Sequence, residues 1–333
     1  MKESIFLNMK KLIITGLFSI LFTWSFAQQD PQFSQNMYNR LYNNPGVAGS
    51  NNAICATLLY RQQWITFDGN PETFLLSVHS PFRLFNMSWG GGLNIVKDGL
   101  GNENTLFVKG SLAYRMALGT GNLGVGLTLG MLQKKIGSNW VSIDPFAQDA
   151  AIPDNGAGKT GFDMDFGVYY KTDKLYLGLS ALHLPSGTLS DSYSASSTPG
   201  AVPVDFNYKI ARHYYIMAGY DYDLPIDMPL TLQPSVFVKS DAASTQVDVN
   251  VNLLYNNMVW VGVSYRMQDA LVPMIGFMKD GIADGVLKIG VSYDVTTSIL
   301  RQYSNGSIEV MASYCFNLPD KTIVKKHKTV RFL

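Results

Sequence analysis

Along residues 246–257 the chain alternates: Val247, Val249, Val251, Leu253 and Tyr255 are apolar, and Asp248, Asn250 and Asn252 between them are polar. Successive side chains of a strand point to opposite faces, so the segment reads as a β-strand with one apolar and one wet side. The period of two recurs. Leu123, Val125, Leu127 and Leu129 oppose Gly124, Gly126, Thr128 and Gly130, and Phe166 and Val168 oppose Asp165 and Gly167. Val259, Val261, Val263 and Tyr265 oppose Trp260, Gly262, Ser264 and Arg266, and Leu287, Ile289, Val291 and Tyr293 oppose Lys288, Gly290, Ser292 and Asp294. Such segments, with turn signals between them, predict about fourteen strands between Ala53 and Phe316. Many run to about 10–12 residues, against a mode of about 5–6 in globular proteins. Long strands in an even number fit an all-β, antiparallel transmembrane β-barrel, whose strands need about 9–11 residues to cross a bilayer.

The connections point the same way. With both termini in the periplasm, connections after odd-numbered strands face outside. The two longest, residues 138–160 and 185–204, follow the fifth and seventh predicted strands, whereas "GTGN", "KTDK" and "YNNM" make tight turns on the periplasmic side. Short periplasmic turns with longer outer loops are the habit of such barrels. A soluble β-sandwich also alternates, but predicts neither strands this long nor loops this asymmetric. On the barrel reading the Val/Leu face meets lipid, and Asp248, Asn250 and Asn252 line a wet lumen. The sheet closes because unpaired backbone groups are too costly in hydrocarbon. Tyr255, Tyr265, Tyr293 and Tyr314 suit interfacial aromatic girdles, and the last strand ends in Phe316, as outer-membrane barrels end in an aromatic.

Composition sharpens this. Charged residues are 15% of the 333, below the ~25% usual for soluble domains; much of the surface therefore does not face water. Aromatics are 12%, glycines number 30 and the net charge is +1, so no basic patch is dense enough to suggest nucleic acid. Lys10 and Lys11 precede the apolar run 12–27, which ends in Ser25-Phe26-Ala27. Residues 1–27 read as a secretory signal peptide, with Met9 offering an alternative start. No later stretch approaches the ~18 apolar residues of a transmembrane helix.

Candidate chemistry adds little. "GTGNLG" at 119–124 matches a dinucleotide fingerprint, but an alternating strand follows it where a helix is required, so it reads as a glycine turn. His79, His183, His213 and His327 are scattered without metal spacing. Asp163 and Asp165 share a face, which lumen polarity explains, and Asp221, Asp223 and Asp227 lack the glycine and closing glutamate of an EF-hand. The expectation is a protein that is no enzyme, with no catalytic residue, cofactor or metal. Cys55 and Cys315 fall in the first and last strands, neighbours once a barrel closes. They form either a disulfide or two separate buried thiols.

Residues 28–52 do not alternate. Asp30 suits an N-cap, Pro31 the first helical position, and Phe33, Met37, Tyr38, Leu41 and Tyr42 repeat at helical spacing until Asn44-Pro45-Gly46 stops them. This predicts a helix of about three turns, about 18 Å long, either packed on the barrel's mouth or docking a partner. The organisation expected is a signal peptide at 1–27, a periplasmic N-terminal segment at 28–52, a barrel at 53–316 and a basic tail at 317–333. Lys321, Lys325, Lys326, Lys328 and Arg331 of that tail suit an acidic partner or a solvated end.

With Asp30, Phe33-Ser34-Gln35, Asn44-Pro45, Ala48-Gly49-Ser50, Arg61, Gln63-Trp64, Gly69 and Pro71, the opening resembles that of the PorP/SprF family of Bacteroidota outer-membrane proteins. Where relatives often carry an aromatic after Asn-Pro-Ala, this chain has Gly46-Val47. The resemblance implies a component of the type IX secretion system, in some members serving gliding motility. It would dock and help export or anchor a large surface protein bearing a C-terminal sorting domain. Other secretion components and outer-membrane lipid are further partners. Partner-binding candidates are Phe33, Met37, Tyr38, Leu41, Asn44, Pro45, Arg61 and Trp64. The alternative is a diffusion channel or hydrophobic-solute transporter, which an open lumen favours and a closed one does not; a hydrolase fails for want of a Ser/His pair on one face.

Overall fold

A computed structural model describes residues 30–137, 156–194 and 203–318. The expected signal peptide, the loop portions 138–155 and 195–202, and the tail from 319 onward lie outside these residues. Seven strands come first: β1 (Ala53–Gln62), β2 (Glu72–Leu84), β3 (Met87–Leu100), β4 (Glu103–Leu118), β5 (Gly121–Ile136), β6 (Ala157–Lys171) and β7 (Leu175–Leu182). A separate hairpin, β8 (Thr188–Ser194) and β9 (Pro203–Lys209), precedes β10 (His213–Tyr220) and the two-residue β11 (Tyr222–Asp223). The remaining strands are β12 (Leu230–Ser240), β13 (Thr245–Tyr255), β14 (Val259–Arg266), β15 (Ala270–Ile282), β16 (Gly285–Thr296) and β17 (Ser307–Asn317). Without β8, β9 and β11 these make a closed barrel of 14 antiparallel strands, because β10 pairs with both β7 and β12 and β1 pairs with β17. Among the described residues no helix is long and apolar enough to cross a membrane.

Alternation sets which side of the wall each residue takes. Val249, Val251, Val261, Val263 and Ile289 point outward and are exposed, while Asp248, Asn250 and Asn252 point into the lumen and are buried. In the glycine fingerprint, Leu118 pairs with Gly121 across a tight turn, and Gly119 takes a positive φ of 58° that glycine adopts without strain. The two rims differ. β1 begins and β17 ends at a rim whose other connections include the tight turns at 85–86, 119–120, 172–174, 256–258 and 283–284. The opposite rim carries the long connections at 63–71, 137–156, 183–212 and 297–306.

Cys55 lies opposite Cys315 in the β1–β17 register, and their sulfurs are bonded, closing a loop with a sequence separation of 260. Restricting the unfolded chain by a loop of this length stabilises by up to about 5 kcal/mol on chain-entropy grounds. A Cys315→Ser variant is therefore expected to lose its heat-resistant gel migration at a lower temperature than the native chain under non-reducing conditions. Under reduction the difference should vanish; persistence there would assign the loss to packing of the serine.

Residues 30–52 depart from the helix that their spacing predicts. Instead of about three continuous turns there is a 3-10 turn at Asn36–Tyr38, one α-turn at Arg40–Asn43 and a 3-10 turn at Pro45–Val47. The break falls at Asn39, whose φ of −116° and ψ of 49° are not helical. Nor does Asp30 cap a helix: it is engaged by His183 and Tyr215 of the wall. The segment expected as a periplasmic helix, packed on the barrel's mouth or docking a partner, is over its described residues a plug inside the barrel. The cause is competition, since side chains of the wall take the backbone donors that would have opened the helix.

Candidate functional site

The plug runs the length of the lumen. Asp30 sits against His183 and Tyr215 beside the long-loop rim, and Asn51 contacts Cys55 at the start of β1 on the other rim. Apolar plug residues seed three buried clusters. Phe33 and Tyr42 pack with Leu59, Phe107 and Met311; Leu41 and Val47 pack with Tyr169, Tyr215 and Phe237; Met37 packs with Trp260, Val272 and Met274. Around these three clusters the described residues fill the lumen as a protein core is filled.

Two charged clusters fasten the plug's first turn. In the first, Arg61 of β1 reaches Asp294 of β16 at 2.7 Å and Glu309 of β17 at 3.3 Å. Arg266 of β14 reaches Asp294 at 3.0 Å, Asp269 at 3.2 Å and Asp248 at 3.4 Å. Ser34 sits at the centre: its Oγ accepts from Arg61 Nη1 at 2.7 Å and Arg266 Nη2 at 3.0 Å and donates to Asp294 Oδ1 at 2.7 Å. The carboxylate of Glu309 accepts the backbone N–H groups of Ser34 and Gln35, each at 2.7 Å. In the second cluster, Lys109 of β4 lies 2.7 Å from Asp163 and 3.1 Å from Asp165 of β6. His183 places Nδ1 2.8 Å from Asp163 and Nε2 2.9 Å from Asp30, and Tyr215 donates to Asp30 at 3.0 Å. Apart from Asp269, whose side chain is 30% exposed, these charges have little or no contact with water, so each depends on its partners for the stabilisation that water would otherwise supply.

Further along, the plug lies directly on the wall. Asn44 Nδ2 donates to the carbonyls of Val168 at 3.0 Å and Leu179 at 3.2 Å, while its Oδ1 caps Gly46 N at 2.8 Å. Pro45 and Gly46 rest against Gly124, Gly126 and Gly167, and the Ala48 carbonyl rests on Gly90. A Cβ on Gly90 or Gly126 would overlap plug backbone, so these inward positions tolerate only glycine while the plug is seated.

The structure places six of the eight residues predicted to bind a partner inside the lumen. Phe33, Met37, Leu41, Asn44 and Pro45 are buried against the lumen wall, and Arg61 is buried on the inner face of β1. Tyr38 is half-buried against Trp260, and Trp64 is half-buried in the β1–β2 loop, its backbone N–H donating to Ser307 Oγ. The charged and polar contacts that fasten the plug involve residues not among those eight: Asp248, Arg266, Asp294, Glu309, Lys109, His183 and Tyr215. Each except His183 occupies an inward position of its strand, the parity on which charge was already visible; His183 lies just beyond β7.

Two groups, Asp30/His183/His213 and Asp163/Asp165/His183, bring carboxylates and imidazoles within reach of one point. Neither arrangement favours a metal. The Lys109 ammonium already stands against Asp163 and Asp165, and both nitrogens of His183 face carboxylates. Toward the short-turn rim the plug stops short of filling the barrel and leaves a cavity of about 430 Å³, with Arg40, Lys171, Lys288 and Asp221 in its lining.

Among solved structures, the chain is similar to a TodX monoaromatic hydrocarbon channel mutant, with a TM-score of 0.52 at 11% identity, covering 84% of this chain and 94% of that one. The toluene transporter TbuX of Ralstonia pickettii gives 0.49 at 11% identity over 84% and 93%. The first likeness shows a shared barrel fold. Comparison with curated proteins gives no match. A family model described as type IX secretion system membrane protein PorP/SprF matches residues 25–314. That match, over most of a closed 14-stranded membrane barrel, makes the chain a member of the PorP/SprF family and an outer-membrane component of the type IX secretion system.

Proposed function

We propose that this barrel is a docking platform for a large exported surface protein with a C-terminal sorting domain, of the kind that serves gliding motility, and that it catalyses no reaction. The observation that carries the reading is the plugged lumen: residues of the 30–52 segment are packed and hydrogen-bonded against the inner wall, which favours recognition at the rims. A free diffusion channel requires an open axis, and the hydrocarbon channels share only the fold. In this proposal the short-turn rim faces the periplasm, where secretion components meet the basic tail, and the long-loop rim faces outward.

The long-loop rim offers an apolar surface suited to an anchor. Ile299 is 84% exposed, Tyr303 66% and Phe67 53%. The β1–β2 and β16–β17 loops that carry them are tied together, Ile65 N donating to Gly306 O at 2.8 Å and Asn305 N to Ile65 O at 3.1 Å. Apolar and aromatic side chains displayed beyond a barrel rim are candidates for a partner's anchor pocket. An Ile299→Ser/Tyr303→Ser variant is expected to recover about tenfold less surface protein on purification from native outer membranes, at equal barrel content. Recovery unchanged in this variant would remove the rim patch. Recovery of no sorting-domain protein with the native chain would remove the docking reading altogether.

A further inference from the structure

The cavity at the short-turn rim has an electrostatic character that plug docking does not explain. Elsewhere in the lumen, Arg61, Lys109 and Arg266 each meet at least two carboxylates within salt-bridge distance. Among the described residues, Arg40, Lys171 and Lys288 meet none, yet all three line the cavity of about 430 Å³. Arg40 is held by neutral groups. Its Nε donates to the Met37 carbonyl at 2.8 Å, its Nη1 to Tyr169 Oη at 2.9 Å, and its guanidinium lies 3.8 Å from the centre of the Tyr176 ring. Lys288 Nζ lies 4.2 Å from the centre of the Tyr38 ring, and Lys171 Nζ donates to Asn51 Oδ1 at 2.9 Å.

Two carboxylates, Asp173 and Asp221, also line the cavity, and Asp221 accepts from Gln233 Nε2 at 3.0 Å. A fourth cation, Lys174, is already paired with Asp223 at 3.0 Å on the exposed rim. Three half-buried cations thus share one space with these two carboxylates; the cations repel one another, Asp221 and Asp173 offset part of that repulsion, and positive charge remains in excess. Their side chains are fixed by aromatic rings and amides whose own bonding does not neutralise charge. Like charges gathered in a partly desolvated recess raise the free energy of the empty site, and an anion entering it removes that cost. The planar fork of a seated arginine suits the oxygens of a carboxylate or phosphate, with ammonium groups adding charge from the side. The volume falls in the range of small-molecule sites, about 300–1,000 Å³.

We propose that this cavity is a binding site for a small oxyanion, a polycarboxylate or phosphate, held by Arg40, Lys171 and Lys288 and entering from the rim where β1 begins and β17 ends. The strands wall it off from lipid, so the ligand comes from solution. Arg40 and Asn51 belong to the plug and Lys171 and Lys288 to the wall, so the anion bridges the two. The site is independent of the docking proposal for the opposite rim.

The test uses the purified full chain in neutral detergent at about 0.15 M salt, where diffuse attraction is largely screened. Citrate and inorganic phosphate are titrated by calorimetry. Saturable binding of at least one of them is expected, weakened about tenfold or more in Lys171→Gln/Lys288→Gln and changed less than twofold in Lys174→Gln. A second measurement needs no variant: the bound anion should slow chemical carbamylation of Lys171 and Lys288, read by peptide mass, while leaving Lys174 unprotected. Absence of binding and of protection with both anions overturns the proposal. So does equal weakening in Lys174→Gln, which would indicate only a diffuse positive rim.

Discussion

A Gly90→Val/Gly126→Val variant is expected to lose its plug from the lumen and to conduct ions in a planar bilayer, where the native chain stays closed. Both glycines face inward from β3 and β5, and the first side-chain atom added at either meets plug backbone: the Ala48 carbonyl at Gly90, and the Pro45–Gly46 peptide at Gly126. Backbone cannot rotate aside as a flexible side chain can. Overpacking costs typically about 1–3 kcal/mol per site, and here two sites act on one short segment. The barrel's hydrogen-bond ladder runs through backbone groups of β3 and β5 that the substitutions do not touch. Heat-resistant gel migration should therefore persist. Protease added to the detergent-solubilised variant should cut between residues 30 and 52, which the native chain protects. A variant that folds, remains closed and resists cleavage would show that the plug shifts to accommodate the valines and that its seat is not set by these contacts.

How much of this could be read from the chain depends on the range of the interaction. Strand alternation is local, so Val249, Asp248 and Asn250 declare their faces from sequence alone, and the barrel and the lipid-facing side follow. The plug is the opposite case. Phe33, Met37 and Leu41 carry helical spacing, but each turned to a different wall, into three separate clusters. Helical spacing places them on one stripe only if the backbone continues, and the backbone donors of Ser34 and Gln35 are taken by Glu309, a residue 274 or more positions away. No local rule reports such a competitor. The inward glycines of β5 share one face of the alternation, but their purpose depends on what lies against them, whereas the turn at Gly119 is a local role that sequence can assign. Among the residues that carry the family resemblance, Asp30, Ser34, Gln35, Asn44 and Arg61 fasten the plug.

Arg61→Ala is expected to be the most damaging single substitution in the lumen. It leaves Glu309 without its arginine and Asp294 with Arg266 alone, both carboxylates remaining buried. It also removes one of the two guanidinium donors to Ser34 Oγ. Removing one partner of a buried ion pair costs about 3–5 kcal/mol, because the abandoned charge stays out of water. If that cost falls on plug docking, the undocked population rises by about 10²–10³-fold or more, and protease cleavage within residues 30–52 accelerates accordingly. Neutralising the stranded partner separates charge from packing. Glu309→Gln keeps an oxygen that can accept one of the Ser34 and Gln35 N–H groups, while carrying no charge to strand. The double variant Arg61→Ala/Glu309→Gln should therefore cleave more slowly than the product of the two single effects predicts, with a coupling of about 1–3 kcal/mol. Strict additivity would mean that Arg61 holds the plug through Ser34 and packing alone, and that the Glu309 carboxylate is adequately stabilised by the two backbone donors it accepts.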